Sequence, residues 1–374
     1  MPAIRTSLLL LLLAACPVRG DFIITDLGDR PGYGVHAFGV NNAGQVTGYS
    51  VRNMDGLTRG FLRNADGTSL DLPTLGGPSS QGYGLNDLGQ VVGVSTLSNN
   101  TQSHAYLYAG GMMTDLGTLG GANSAAFAVN KAGQVAGWAN PTNSTDQVAF
   151  RYSGGMMSLG TLGGPTSNAL SINSAGVVVG QAQRPGGEVH AFRSDGMTMM
   201  DLGTLGGLQS VARGINDSGQ IVGDSETATG ANHAFLYSGG VMMDLGSLGT
   251  PDGPNSLSFA EAINNPGQIV GRYRLADFSD FHAFLYSGGT MTDLNTLIPA
   301  NSGWVLEEAR GINDLGQIIG YGTFDNQFDR AFLLTPTAAV PTPPGALLFA
   351  FGAALIALVR FRWHRCLLRL RVLC

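Results

Sequence analysis

The 374-residue chain predicts an all-β fold, a seven-bladed β-propeller of four-stranded blades. Three observations predict it. A small-aliphatic-Asn triplet leads into a glycine three residues on in seven places, built on Asn41, Asn86, Asn130, Asn173, Asn216, Asn264 and Asn313. The steps between these asparagines are 45, 44, 43, 43, 48 and 49 residues, a period that belongs to propellers and solenoids. The last copy lacks a fourth strand, and a matching segment, Phe22 to Gly28, lies at the N-terminus.

Each unit reads as four strands in order. The first ends in the triplet, and Asn-x-x-Gly makes the turn, with glycine supplying a positive φ. The second is a short β-branched run such as Ile221-Val222. The third is typified by His233-Ala234-Phe235-Leu236-Tyr237 and closes on Ser238-Gly239-Gly240, a hairpin signal. The fourth runs through Met242-Met243-Asp244-Leu245-Gly246. The copy built on Asn313 stops at Arg330-Ala331-Phe332-Leu333-Leu334 and runs into Pro336. A closed ring in which the N-terminal strand pairs with the last three leaves no free sheet edge. A linear β-solenoid, the alternative, would gain nothing from that permutation.

The third-strand triplets His104-Ala105-Tyr106, His190-Ala191-Phe192, His233-Ala234-Phe235 and His282-Ala283-Phe284 recur in register with Asp-Leu-Gly signatures. In this the chain resembles the bacterial extracellular HAF repeat family over nearly all of residues 22 to 335. Arg59-Gly60-Phe61, Val148-Ala149-Phe150 and Arg330-Ala331-Phe332 lack the histidine. The resemblance implies an extracytoplasmic repeat protein and names no activity.

The ends carry sorting signals. Residues 1–20 read as a secretory signal peptide, with Arg5, the apolar run from Leu8 to Ala15 and a cleavage site after Gly20. Leu13-Ala14-Ala15-Cys16 also resembles a lipoprotein signal, which would lipidate Cys16. A Pro-rich linker, 337–344, precedes a hydrophobic and basic tail, 345–374. Pro341, Pro343, the apolar stretch from Gly345 to Val359, Arg360 and Arg362 look like the PEP-CTERM sorting signal of Gram-negative bacteria. Thr342 departs from that family's glutamate, and the chain runs on to Cys374. The tail implies a membrane partner, either by spanning a thin bilayer or by lying on its surface.

Composition excludes several functions. All 26 acidic residues fall between 21 and 344 against 13 basic ones, so the repeat region repels phosphate backbones and nucleic acid is not expected as a partner. Cys16, Cys366 and Cys374 all lie in the terminal segments, which leaves the repeats without a disulfide or thiol site. The chain shows no Gly-x-Ser-x-Gly elbow, His-Glu-x-x-His pair, phosphate loop or calcium loop, and no cofactor is expected. The four equivalent histidines are spread around the ring by symmetry, so each is expected to bond within its own blade, His233 to Asp244 directly across the hairpin.

Function is expected on the face that collects the variable second-to-third and fourth-to-first loops, held by a rigid scaffold. The candidates there are Asp277, Phe278, Asp280, Trp304, Glu307 and Glu308, aromatics near acids in the last two repeats. They suit a surface-associated, monomeric, non-enzymatic protein that binds extracellular polysaccharide or protein. The alternative is an extracytoplasmic polysaccharide hydrolase or lyase using acids on the same face. Glu307-Glu308 by themselves read as a solvated rim, because neighbours in a strand point to opposite faces.

Overall fold

A computed structural model describes residues 22–28, 33–52, 54–248, 253–277, 280–325 and 327–337. The leader, Cys16, and the tail residues Pro341, Pro343, Arg360 and Arg362 lie outside the described residues, as does Phe278. Among the described residues no helix is long and apolar enough to cross a membrane.

Seven four-stranded antiparallel sheets follow one another along the chain, numbered here as blades 1 to 7 after their asparagines. Blade 5 is representative, with strands Gly206–Ile215, Ile221–Thr227, Asn232–Ser238 and Val241–Asp244. Blade 7 combines Trp304–Ile312, Ile318–Phe324 and Gln327–Pro336 with the N-terminal strand Phe22–Asp26. The closing strand takes the register of an ordinary fourth strand: Asp26 lies opposite Phe332, as Asp244 lies opposite Phe235. The ring is therefore sealed by main-chain pairing, as the sequence predicts.

The core lies between blades. The third-strand aromatics Tyr106, Phe150, Phe192, Phe235, Phe284 and Phe332 are fully buried. Phe235, for example, clusters with Ala212 and Ile221 of its own blade and with Val179 and Ala191 of blade 4. Small residues at the contact let sheets approach. The Ala191 amide donates to Ser210 Oγ of the next blade, and that hydroxyl donates to the carbonyl of Gly203. The same latch recurs at Ser124, Ser167 and Ser258.

Each third-strand histidine bonds the aspartate of its own fourth strand: His104 to Asp115, His190 to Asp201, His233 to Asp244 and His282 to Asp293, at 2.8 to 3.0 Å. The pairing is diagonal and not directly across as expected. The two-residue turn sets Ser238 against Val241, which places Phe235 opposite Asp244, and His233 reaches it along the same face. In blade 7 Arg330 stands in the histidine position and pairs with Asp26 of the closing strand.

One element departs from the all-strand expectation. Asn295 stands where Gly28, Gly117, Gly203 and Gly246 follow Asp-Leu in other blades, and Leu294–Leu297 form a single 3-10 turn capped by Asp293, which accepts from the Asn295 amide. Gly203 and Gly246 at the equivalent position have φ of 75° and 67°, which asparagine does not adopt here.

Candidate binding chamber in the central channel

The first strands of all seven blades line the channel, and one irregularity repeats in each. Register slips between Ala37 and Gly39, Gly82 and Gly84, Ala126 and Ala128, Ala169 and Ser171, Ala212 and Gly214, Ala260 and Ala262, and Ala309 and Gly311. The extra residue lies three places before the asparagine every time. A β-bulge of this kind re-aims a side chain. The seven bulged residues, Phe38, Tyr83, Phe127, Leu170, Arg213, Glu261 and Arg310, all line one chamber of about 620 Å³.

The bulge also explains the second glycine of each repeat. At Gly223 a Cβ would lie 1.8 Å from the Val211 carbonyl oxygen, and at Gly320 it would lie 2.0 Å from that of Glu308. The bulged strand bends onto its partner there, and only glycine leaves room.

Below the chamber the channel narrows. The aliphatic residues just before the asparagines, among them Val40, Leu85, Ile172 and Ile312, border both the chamber and a smaller cavity of about 180 Å³ beyond it. That second cavity is walled by the asparagines. Each Nδ2 donates to the next asparagine's carbonyl at 2.8 to 3.2 Å, and Asn313 returns to Asn41. Each Oδ1 accepts the amide four residues on, as from Gln45 and Gln220. The triplet asparagine is thus more than a turn former: it closes a hydrogen-bonded hoop around the axis.

The chamber has two unlike walls. Blades 1 to 3 supply a continuous aromatic wall. Phe38 stacks on Tyr49 at 5.6 Å, meets Tyr83 edge-on at 5.4 Å, and Tyr83 meets Phe127 at 5.4 Å. Burial, with Tyr49 nearby, pushes the Tyr83 hydroxyl up to about 12, so it stays a neutral donor.

Blades 5 to 7 supply a charged wall around a side pocket of about 340 Å³. Its centre is Glu308, only 4% exposed. Glu308 accepts from Arg272 Nη1, from Arg310 Nε at 3.0 Å and from the Tyr321 hydroxyl at 2.8 Å. Arg213 Nε donates to Asp224 at 2.6 Å, and its Nη1 lies 3.5 Å from Glu261. Burial is the main force on Glu261 and raises its carboxyl above the usual carboxylate range; Arg213 opposes this and the Glu308 charge adds to it. Arg310 packs over the rings of Phe38 and Tyr321, which joins the two walls, and Arg272 packs over Phe259 and Phe281.

Among the described residues expected to form the site, only Glu308 lines the side pocket of the chamber. It is buried, not a solvated rim, because a further register slip between Leu306 and Glu308 places Glu307 on the bulge. Glu307 instead accepts from Thr323 Oγ1 at 2.6 Å. Trp304 is not an exposed loop aromatic. It opens the first strand of blade 7, is 8% exposed, stacks on Phe324 at 4.9 Å and meets Phe332 edge-on. A rigid apolar ring at the strand's edge is worth more in the gap between blades than in solvent. Asp277 and Asp280 are exposed on the blade 6 loop and do not line the chamber, and Phe281 packs on Phe259 at 6.1 Å.

The sequence reading missed Arg213, Glu261, Arg272 and Arg310. The signal was present in the repeat register: three residues before the asparagine, aromatic or aliphatic in blades 1 to 4, charged in blades 5 to 7. Eight residues after it, Tyr49, Asp224, Arg272 and Tyr321 break the same symmetry.

No family model and no curated protein matches the chain. Among solved structures it is similar to a gluconolactonase, XC5397 from Xanthomonas campestris, at 10% identity and a TM-score of 0.44, over 85% of this chain and 90% of that one. It is also similar to TolB from Acinetobacter baumannii, at 12% identity and a TM-score of 0.38, over 56% of this chain; the chain spans about half of that protein's length, 51%. A mutant Aleuria aurantia lectin in complex with alpha-methyl-L-fucoside matches at 10% identity and a TM-score of 0.37, over 73% of this chain and 95% of that one.

Proposed function

We propose that this is an exported, surface-associated, non-enzymatic propeller that binds a saccharide unit of an extracellular polysaccharide in its central chamber. The observation that carries the reading is the division of the seven bulged positions into three aromatics, Phe38, Tyr83 and Phe127, and three charged residues, Arg213, Glu261 and Arg310, with Leu170 between them. A pyranose ring has an apolar face that stacks on aromatic rings and a rim of hydroxyls that takes hydrogen bonds, and the chamber offers both within one cavity. The volume suits one or two sugar rings. Glu308 argues against acid-base chemistry, since both its oxygens are engaged by Arg272, Arg310 and Tyr321.

A second reading, polysaccharide hydrolysis or lysis, draws on Glu261, a buried carboxyl raised above its ordinary range. Screening the purified 21–336 fragment on a glycan array, with product analysis of any bound glycan, separates the two. Binding without cleavage supports the first. Binding with cleavage that Glu261→Gln abolishes establishes the second, and no binding by any glycan removes both.

Export and anchoring rest on the leader and the tail, in keeping with the HAF and PEP-CTERM resemblances. Mass spectrometry of the mature N-terminus decides between Asp21 and lipidated Cys16. Removing residues 340–374 is expected to release the protein from the membrane, and retention of the truncated chain would overturn the anchor.

A further inference from the structure

The geometry points to an acidic saccharide, one bearing a carboxylate, as the occupant of the chamber, with Arg213, Arg272 and Arg310 recognising that carboxylate. The inference rests on the saccharide reading above and names the class of sugar.

Hydrogen-bonding capacity in the charged wall is lopsided. A guanidinium carries five N–H donors and accepts nothing. Arg213 uses Nε on Asp224 and holds Nη1 at 3.5 Å from Glu261; Arg272 uses Nη1 and Arg310 uses Nε, both on Glu308. Arg272 Nε is buried with no partner. The acceptors, by contrast, are occupied. Glu308 takes three donors, and Asp224 takes Arg213 on one oxygen and Asn232 on the other at 3.2 Å. Apart from Glu261, which only approaches Arg213 at 3.5 Å, the wall has no carboxylate to spare.

A cationic sugar would meet only Glu261, which already faces Arg213 and is held toward its neutral form by burial. A neutral sugar would supply hydroxyl acceptors but leave the arginine forks without a planar counterpart. A carboxylate matches a guanidinium fork with two parallel hydrogen bonds. The acidic exterior of the repeat region does not prevent this, because its field is screened over about 8 Å at physiological salt, whereas the arginines act at contact. Stacking of Arg310 on Phe38 and Tyr321 also fixes its plane before a ligand arrives.

The test is isothermal titration calorimetry of the 21–336 fragment with galacturonate, glucuronate and mannuronate oligomers, each paired with its carboxyl-reduced form, and with a chitosan oligomer. At least one uronate is expected to bind about tenfold or more tightly than its reduced form, and chitosan is expected not to bind. Equal affinity for the acidic and reduced forms, or preference for chitosan, would overturn the inference while leaving saccharide binding intact. Binding by none of them would overturn both. Arg310→Lys and Arg272→Lys keep the charge and lose the fork; each is expected to cost the uronate about tenfold and the reduced oligomer clearly less, so that the preference for the acidic form narrows. Thermal melts establish whether those variants fold, and if one does not, the comparison of acidic with reduced ligand still decides.

Discussion

Asn313 Nδ2 donates to the carbonyl of Asn41, 272 residues earlier in the chain, at 2.8 Å. That bond completes the hoop of seven, while the pairing of Phe22–Asp26 with Gln327–Pro336 completes the outer edge of the same blade. The ring is thus closed twice, once at the axis and once at the rim. Deleting residues 21–29 is expected to open blade 7 and expose its edge, with loss of a single cooperative melt or with aggregation. A deletion that melts like the parent would show that the rim closure is dispensable.

Asn313→Ala removes one link of the hoop: the Asn41 carbonyl keeps only the Gly44 amide, and the Gln317 amide loses its side-chain acceptor. A loss of about 1–3 kcal/mol is expected, read from denaturant unfolding. Gly223→Ala should be worse, since its Cβ would lie 1.8 Å from a backbone oxygen that cannot move without shifting the bulge. Its melting temperature is expected to fall below that of Asn313→Ala.

Trp304→Ala is expected to cost about 3–5 kcal/mol, as for a large aromatic removed from a core, and to leave sugar affinity unchanged in whatever fraction folds. Tyr83→Ala is expected to do the opposite, weakening binding by about tenfold with a smaller loss of stability, since stacking on a ring is worth about 0.5–1.5 kcal/mol. Calorimetric binding and melting curves on the two variants distinguish wall from core.

Glu308→Ala leaves Arg272 and Arg310 without their shared carboxylate. Breaking a buried pair from one side costs about 3–5 kcal/mol, and the low end is expected here because both arginines are partly exposed, at 29% and 27%. If unfolding in denaturant shows no loss, the cluster is not holding blades 6 and 7 together.

His282 supplies a pH signature. Its hydrogen bond to Asp293 raises its pKa above 6.5; burial opposes this, and the charges of Asp293, Asp280 and Glu307 add to it. Burial would raise Asp293, but hydrogen bonds from His282 and Asn295 outweigh it and hold the carboxyl below 3.8. The histidine's contribution is full below pH 6.5 and is lost as pH rises through its folded pKa. The aspartate's is present above pH 3.8 and is lost as pH falls through its folded pKa. Support from the pair is therefore greatest between about pH 4 and 6.5. His282→Gln is expected to remove the part of the decline above pH 6.5, seen in melts from pH 5 to 8.

The ring was legible in the chain because a repeat cannot bury its faces alone. Seven copies of one pattern, with the fourth strand of the last copy displaced to Phe22, leave closure as the way to pair every edge. The His-Asp latch was legible too, since both partners lie in one hairpin, and only its diagonal register escaped. Trp304 was misread because an aromatic after a long loop looks exposed until the neighbouring blade is placed beside it. The arginines were overlooked because they sit singly, one or two per repeat, with no local motif.

From sequence alone, local periodicity determined the number of blades and their strand order, since both depend on patterns that recur at fixed spacing; the asparagine hoop and the serine latches that join the blades emerged only with the ring. Tertiary structure alone decided what the channel contains. A bulge turns one residue per blade toward the axis, and closure of the ring brings Arg213, Glu261, Arg272, Glu308 and Arg310 into one pocket opposite Tyr83 and Phe127, residues up to 227 positions apart whose meeting no stretch of chain encodes. The physical reason is that ring symmetry converts a difference between repeats into a difference between walls.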